Sequence, residues 1–367
     1  MWGDISISFL LAFVAAFVIT PYTIRLAKKV GAIDLPEDRR VNENAMPRLG
    51  GIAVIIGFLL SSIYLIIVMT MEHSFDLFGQ ENNYMFKLTG LLLGIIVLGV
   101  FCYIDDIKGL PALVKLLGQI IAAVIVVSFG IRIDNIEIPF LEQTFNIGNS
   151  IIVYILSVGW IIGITNAINL IDGLDGLSSG ITLISCFSLI IVFTMNQSPI
   201  IAIILITALA GAIVGFMPYN INPAKTFIGD VGSQFLGFSL AVISILGTAK
   251  RYTLLVLIAP LIILALPIAD TLFAIVRRVI KGKSIKAIFL PDNGHLHHKL
   301  MKRGYTQKQA VLILYGISAS FGMFAIILLE SGIWKALSFA LMVIAIGAIG
   351  YRDILKTRKK DNLNKKK

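Results

Sequence analysis

Eleven apolar runs, most of them long enough to cross a bilayer, dictate what this chain can fold into. They fall at about 5–27, 49–71, 87–104, 113–130, 151–165, 177–195, 199–217, 233–247, 252–276, 309–329 and 333–351. A helix needs about 20 apolar residues to span hydrocarbon. Runs of this length and hydropathy read as transmembrane helices. The runs at 151–165 and 233–247 are short, and the first reaches spanning length only by extending into the polar motif after it. Charged residues make up 14% of the chain, where a soluble domain carries about 25%. The expectation is an all-α polytopic membrane protein, a bundle of about eleven transmembrane helices. One integral-membrane domain covers 1–351, and 352–367 is a basic tail. Cys102 and Cys186 both lie in apolar runs and point to neither a disulfide framework nor a zinc site.

Charge is sorted by side. The first run has no basic residue before it and Arg25, Lys28 and Lys29 after it. A signal peptide has the reverse order, so this is a retained helix with its N-terminus outside. Of the 31 Lys and Arg, 26 fall in or beside the odd-numbered gaps and the C-terminal tail. The positive-inside rule puts those segments in the cytoplasm. The net charge of +10 then reads as a lipid-facing feature, the tail included, and not as a nucleic-acid site.

The polar motifs follow the same parity, so a cleft at the cytoplasmic face is expected. In Asn166-Ala-Ile-Asn-Leu-Ile-Asp-Gly-Leu-Asp-Gly176, four polar side chains, Asn166, Asn169, Asp172 and Asp175, recur every third residue. Neighbours three apart share a helix face. An ideal helix would still carry Asp175 to the side opposite Asn166, so the helix should yield near Gly173 and Gly176. Carboxylates beside hydrocarbon need a cation, water or substrate. The first gap holds Arg39, Arg40 and Arg48, suited to phosphates, and Gly50-Gly51, which permits close backbone approach; ordinary positive-inside charge is the alternative. Asp105 and Asp106 repel one another unless a cation or proton intervenes, and a capping role needs only one of them. Lys115 can reach a phosphate or snorkel to the interface. Gly229-Asp230-Val-Gly232 reads as a tight turn offering a carboxylate and backbone N–H groups at a helix N-terminus, for a metal–phosphate complex or as a plain cap. The longest gap, 277–308, contains His295-Leu-His297-His298. Without cysteines, phosphate contacts suit these imidazoles better than zinc. Asp270 is an intramembrane carboxylate expected to face the protein cleft. The alternating segment 131–138 suggests a small external hairpin.

Oxygen ligands of this kind suit Mg²⁺, which keeps waters and binds substrate phosphates. Such a site at a membrane face can join a soluble phosphate ester to a lipid phosphate. Taken in order, Arg39-Arg40 with Pro47-Arg48-Leu-Gly-Gly51, Asp105-Asp106 with Lys115, the Asn166 motif, Gly229-Asp230-Val-Gly-Ser233 and His295-Leu-His-His298 resemble the polyprenyl-phosphate N-acetylhexosamine-1-phosphate transferases. The resemblance covers nearly the whole chain. It implies transfer of a sugar 1-phosphate from a UDP-sugar to undecaprenyl phosphate, release of UMP, and Mg²⁺ with Mn²⁺ as the alternative ion. It assigns Asn169 and Asp230 to the metal, and Asp105, Asp106, Lys115, His295, His297 and His298 to catalysis. Arg39, Arg40, Arg48, Asn166, Asp172, Asp175, Phe227 and Arg303 are the expected substrate contacts, Phe227 by stacking on uracil. The His-Leu-His-His pattern resembles the branch using UDP-N-acetylglucosamine, which initiates teichoic acid, lipopolysaccharide O-antigen or related polymers. The muramoyl-pentapeptide branch, with three consecutive histidines, is the alternative. Asn42 stands where many members have histidine. Expected partners are the two substrates and a bacterial cell membrane; a homodimer is compatible, and nucleic acid is not expected. A transporter would place its site near the midplane, often in inverted repeats, and neither feature is present.

Overall fold

The computed structural model describes residues 2–36, 45–73, 75–79, 83–133, 135–138, 143–146, 150–248, 254–284, 287, 292 and 294–346. Among them the chain is built almost wholly from helices. The helices are α1 (Trp2–Val30), α2 (Gly50–Met71), α3 (Tyr84–Lys108), α4 (Ala112–Ser128), α5 (Ser150–Ile171), α6 (Leu177–Met195), α7 (Ile200–Asn220), α8 (Gly229–Thr248), α9 (Leu254–Ile263), α10 (Ala265–Gly282), α11 (Leu296–Lys302), α12 (Gln307–Ser331) and α13 (Ile333–Ile346). Two short antiparallel pairs interrupt them. β1 (Ile33–Asp34) pairs with β2 (Met46–Pro47), and β3 (Asn135–Ile138) pairs with β4 (Gln143–Asn146) in the expected hairpin, Asn135 opposite Asn146.

Eight helices, α1, α2, α3, α5, α6, α7, α8 and α12, are long and apolar enough to cross a membrane. The chain is a multi-pass membrane protein. The two runs that looked short are completed by polar sequence. α5 continues through Asn166 and Asn169 to Ile171, and α8 begins at Gly229. α4 and α13 are apolar but shorter. The run at 252–276, expected as one helix, is two. Proline has no N–H, so Pro267 leaves the Ile263 carbonyl without its helical donor, and the chain kinks at Leu264 between α9 and α10.

α8 is the axis. Of its apolar stretch 94% is buried, against 28% for α1 and 33% for α3 and α12, which face outward. Phe235 and Phe238 of α8 lie within a continuous core with Phe58, Phe193 and Phe216. Because the axis is inside the bundle, whatever α8 carries at its N-terminus is surrounded by the ends of other helices. The last helix of the long set is started by local chemistry. Thr306 Oγ1 accepts the Gln309 N–H and Gln309 Oε1 accepts the Thr306 N–H, a capping box that fixes the first turn of α12. Both cysteines are buried and free.

Candidate active site at one end of the bundle

The N-terminus of α8 is built around two glycines and a distant carboxylate. Gly229 adopts φ +71°, and a Cβ there would run into the Arg48 carbonyl. Gly51 packs directly on Gly232, and the Gly50 and Gly51 N–H groups donate to the Phe227 and Ile228 carbonyls at 3.1 and 2.8 Å. The close approach permitted by Gly50-Gly51 is therefore to this turn. The first N–H groups of a helix have no partner within it. Here Asp106, at the end of α3, supplies one: Oδ1 accepts the Asp230 N–H and Oδ2 the Val231 N–H, each at 3.0 Å. Those backbone donors are thus committed to Asp106 and not offered to a phosphate. Arg48 Nη2 closes the arrangement 2.9 Å from Asp106 Oδ1 and also faces Asp34.

Asp105 points elsewhere. Its Oδ1 accepts the Leu110 N–H at 2.6 Å, and its Oδ2 lies 2.5 Å from Lys115 Nζ. The same ammonium is 2.9 Å from Asp230 Oδ2. Lys115 is the cation that lets Asp105 and Asp230 stand together. Asp230 Oδ1 accepts from Asn169 Nδ2 at 3.0 Å, and Asn169 Nδ2 also donates to Ser233 Oγ at 2.9 Å. The Asn169 amide nitrogen is thus committed to Asp230 and Ser233. Four helices, α3, α4, α5 and α8, thus meet at one end of the bundle.

The rest of the Asn166 motif diverges, because α5 ends at Ile171 and Gly176, at φ +73°, opens α6. Asn166 turns toward α4, its Nδ2 donating to Gln119 Oε1 at 2.7 Å. Asp172 accepts from Ser178 Oγ at 2.5 Å, and burial pushes its carboxyl up to about 7. Asp175 Oδ2 accepts from Asn222 Nδ2 at 2.8 Å and from the Ala224 N–H at 3.1 Å, holding the 222–224 loop. Phe227, beyond that loop, is half-buried, and its backbone is pinned by an N–H bond to the Pro47 carbonyl at 2.8 Å.

The histidines form a second wall. Asp270 Oδ2 lies 2.8 Å from His295 Nδ1, and Asp270 Oδ1 accepts the Leu296 N–H at 3.0 Å, so α10 fixes the start of α11. The His297 ring lies 4.2 Å from His298 and 5.8 Å from His295, centroid to centroid, and abuts Gly173. Burial first, then the neighbouring His298 and His295, hold the His297 imidazole down at about 3. It is neutral at ordinary pH. Arg277 pairs with Asp292 at the edge of this wall.

The structure brings together Arg48, Asp105, Asp106, Lys115, Asn169 and Asp230 in one network. Asp172, Asp175, Phe227 and the histidines flank it, and Arg303 lies at the exposed C-terminal end of α11. Arg39, Arg40 and Asn42 lie outside the described residues, as does the tail 352–367. Sequence reading assigned no role to Gln119, Ser178, Asn222, Ser233 and Gln234, although Ser233 closes the Gly229 motif. Each is a common residue in an apolar or loop context, with a partner distant in the chain or local to a turn. Among the described residues no three His, Cys, Asp or Glu side chains group as a metal-ligating set.

The model of glycosyl transferase family 4 matches residues 88–248, the span from α3 to the end of α8. The chain is 38% identical over 344 residues to the probable undecaprenyl-phosphate N-acetylglucosaminyl 1-phosphate transferase of Bacillus subtilis, covering 93% of this chain and 89% of that protein. This chain belongs to glycosyl transferase family 4. Another relative is the decaprenyl-phosphate N-acetylglucosaminephosphotransferase of Mycobacterium tuberculosis, 31% identical with 79% of this chain and 74% of that one covered. The phospho-N-acetylmuramoyl-pentapeptide-transferase of Bacillus pumilus is also 31% identical, over 85% and 92%. The matched span contains Asp105, Asp106, Lys115, Asn169 and Asp230, while Arg48 and the histidines lie outside it.

Proposed function

We propose that the protein transfers N-acetylglucosamine 1-phosphate from UDP-N-acetylglucosamine to undecaprenyl phosphate and releases UMP. The observation that carries this is the Lys115 ammonium held between Asp105 and Asp230, beside Asn169, at one end of a membrane bundle. A water-soluble donor and a lipid acceptor can meet only at such an end. The relatives named for N-acetylglucosamine favour that donor over the muramoyl-pentapeptide one. The charge count supports a cytoplasmic side for this end.

The oxygen donors fit Mg²⁺, and Mn²⁺ shares their preference. Asp230, the Asn169 carbonyl and Asp105 would hold the ion from one side. Mg²⁺ would take its remaining ligands from substrate phosphates and water. When bound, it supplies neutralisation of the pyrophosphate charge. Lys115 shifts from carboxylates to phosphate as the donor enters. Asp175 and Phe227 hold the nucleotide, Phe227 against the uracil ring. The histidine wall, neutral at His297, faces the sugar phosphate with hydrogen-bonding imidazoles. An oxygen of the lipid phosphate attacks the sugar-linked phosphorus. The new P–O bond forms as the bond to the bridging oxygen breaks, and UMP leaves with that electron pair. Positioning and electrostatics supply the rate, with no covalent enzyme intermediate.

The test is the fate of the sugar-linked phosphorus. With that phosphorus labelled in UDP-N-acetylglucosamine, the label should enter the lipid and unlabelled UMP should be released. Label recovered in UDP, with sugar alone on the lipid, would contradict the proposal.

A further inference from the structure

One helical turn deeper than Lys115, Asn169 and Asp230, each of the same three helices carries an amide. Gln119 follows Lys115 on α4, Asn166 precedes Asn169 on α5, and Gln234 follows Asp230 on α8. The three amides bond to one another. Asn166 Nδ2 donates to Gln119 Oε1 at 2.7 Å, and Gln119 Nε2 donates to Gln234 Oε1 at 2.9 Å and to Asn166 Oδ1 at 3.3 Å. Asn166 Nδ2 also donates to the Ile162 carbonyl at 2.9 Å. Gln119 and Gln234 are 3% and 2% exposed. Buried amides that lose their partners are costly, and short side chains meet only at one rotation of each helix. We propose that Gln119, Asn166 and Gln234 form a positioning layer that sets the rotation and spacing of α4, α5 and α8, and through them the separation of Lys115, Asn169 and Asp230. Asn166 then serves the site through its neighbours and does not touch substrate. This rests on the proposed function and deepens it.

The test compares wild type, Gln119→Leu, Gln234→Leu and Gln234→Glu as purified full-length protein. Two quantities are read: UMP release, and the Mg²⁺ concentration that gives half of the Mg²⁺-dependent rise in unfolding temperature. Gln119→Leu removes the hub. It should lower kcat about tenfold or more and raise that Mg²⁺ concentration by a similar factor, the scale typical of residues behind a metal site, while KM for the donor stays within about threefold. A merely structural amide would lower the metal-free unfolding temperature and leave the Mg²⁺ titration in place. Folded Gln119→Leu with a wild-type titration and kcat within about twofold would overturn the layer. If Gln119→Leu does not fold, Gln234→Leu, which keeps the Gln119–Asn166 pair, is read in its place. It should show the same changes to a smaller degree, and Gln234→Glu, which restores an acceptor oxygen of the same reach, should recover activity. Wild-type behaviour of Gln234→Leu would overturn the layer. An inert, Mg²⁺-indifferent wild type would overturn the functional reading and this inference with it, whereas an active wild type with unaffected variants overturns the layer alone.

Discussion

Replacing Asp106 by Ala would strip the first N–H groups of α8 of their acceptor and leave Arg48 facing an empty space where a fully buried carboxylate stood. Removing one partner of a buried pair costs about 3–5 kcal/mol, so Asp106→Ala should lose a large part of its thermal stability in detergent along with its activity. Asp230→Ala leaves Lys115 its bond to Asp105 and should abolish turnover in a protein that still unfolds cooperatively near the wild-type temperature. Equal stability of the two variants would contradict this division of labour. That the adjacent carboxylates Asp105 and Asp106 need separate partners is visible in the sequence. That one partner is a helix N-terminus 124 residues away, and the other the Lys115 ammonium, depends on how α3, α4 and α8 pack. His297 carries a prediction of its own. Its imidazole is held down at about 3 by burial, below the ordinary 6.5, so the unfolded chain takes up a proton that the folded one refuses. The stability it contributes is full above pH 6.5 and is lost as pH falls toward 3. His297→Gln should therefore show a smaller drop in unfolding temperature between pH 7 and pH 5 than wild type; identical drops would contradict it.

At the scale of elements, the site exists because helices stop where their polar residues begin. α5 carries Asn166 and Asn169 on its last turns and ends before Asp172, which frees Asp172 and Asp175 to bond to Ser178 and Asn222. The three-residue spacing and the glycines announce that break; the directions taken after it are set by tertiary partners such as the 222–224 loop. Gly229 is the tightest of these breaks. An alanine there would hold a strained φ of +71° and meet the Arg48 carbonyl, a cost of about 1–3 kcal/mol from the backbone alone. Gly229→Ala should lower the unfolding temperature and remove most activity, whereas a stable, fully active Gly229→Ala would show that the turn tolerates a shift. The break between α9 and α10 was not legible as such. Periodicity sees one apolar run, and only the hydrogen-bond consequence of Pro267 divides it.

The whole molecule is a multi-pass bundle whose chemistry-bearing residues gather at one end, with α8 as the buried axis. The long helices were legible from hydropathy, and the convergence of the motifs from their parity. The side of the membrane was read from charge alone: 26 of 31 Lys and Arg fall in or beside the odd-numbered gaps and the tail, which the positive-inside rule assigns to the cytoplasm. A C-terminal green fluorescent protein fusion should fluoresce, and a C-terminal alkaline phosphatase fusion should be inactive; the reverse would place the site outside. The central claim is that this end joins a UDP-sugar to a lipid phosphate with a bound divalent ion. The most direct measurement is UMP release by purified protein given undecaprenyl phosphate and Mg²⁺ with either UDP-N-acetylglucosamine or UDP-muramoyl-pentapeptide, with and without EDTA. Release with the first donor alone, abolished by EDTA and restored by Mg²⁺, is the predicted result. Release only with the second donor would contradict the donor assignment, and silence with both, in protein shown to be folded, would contradict the account itself.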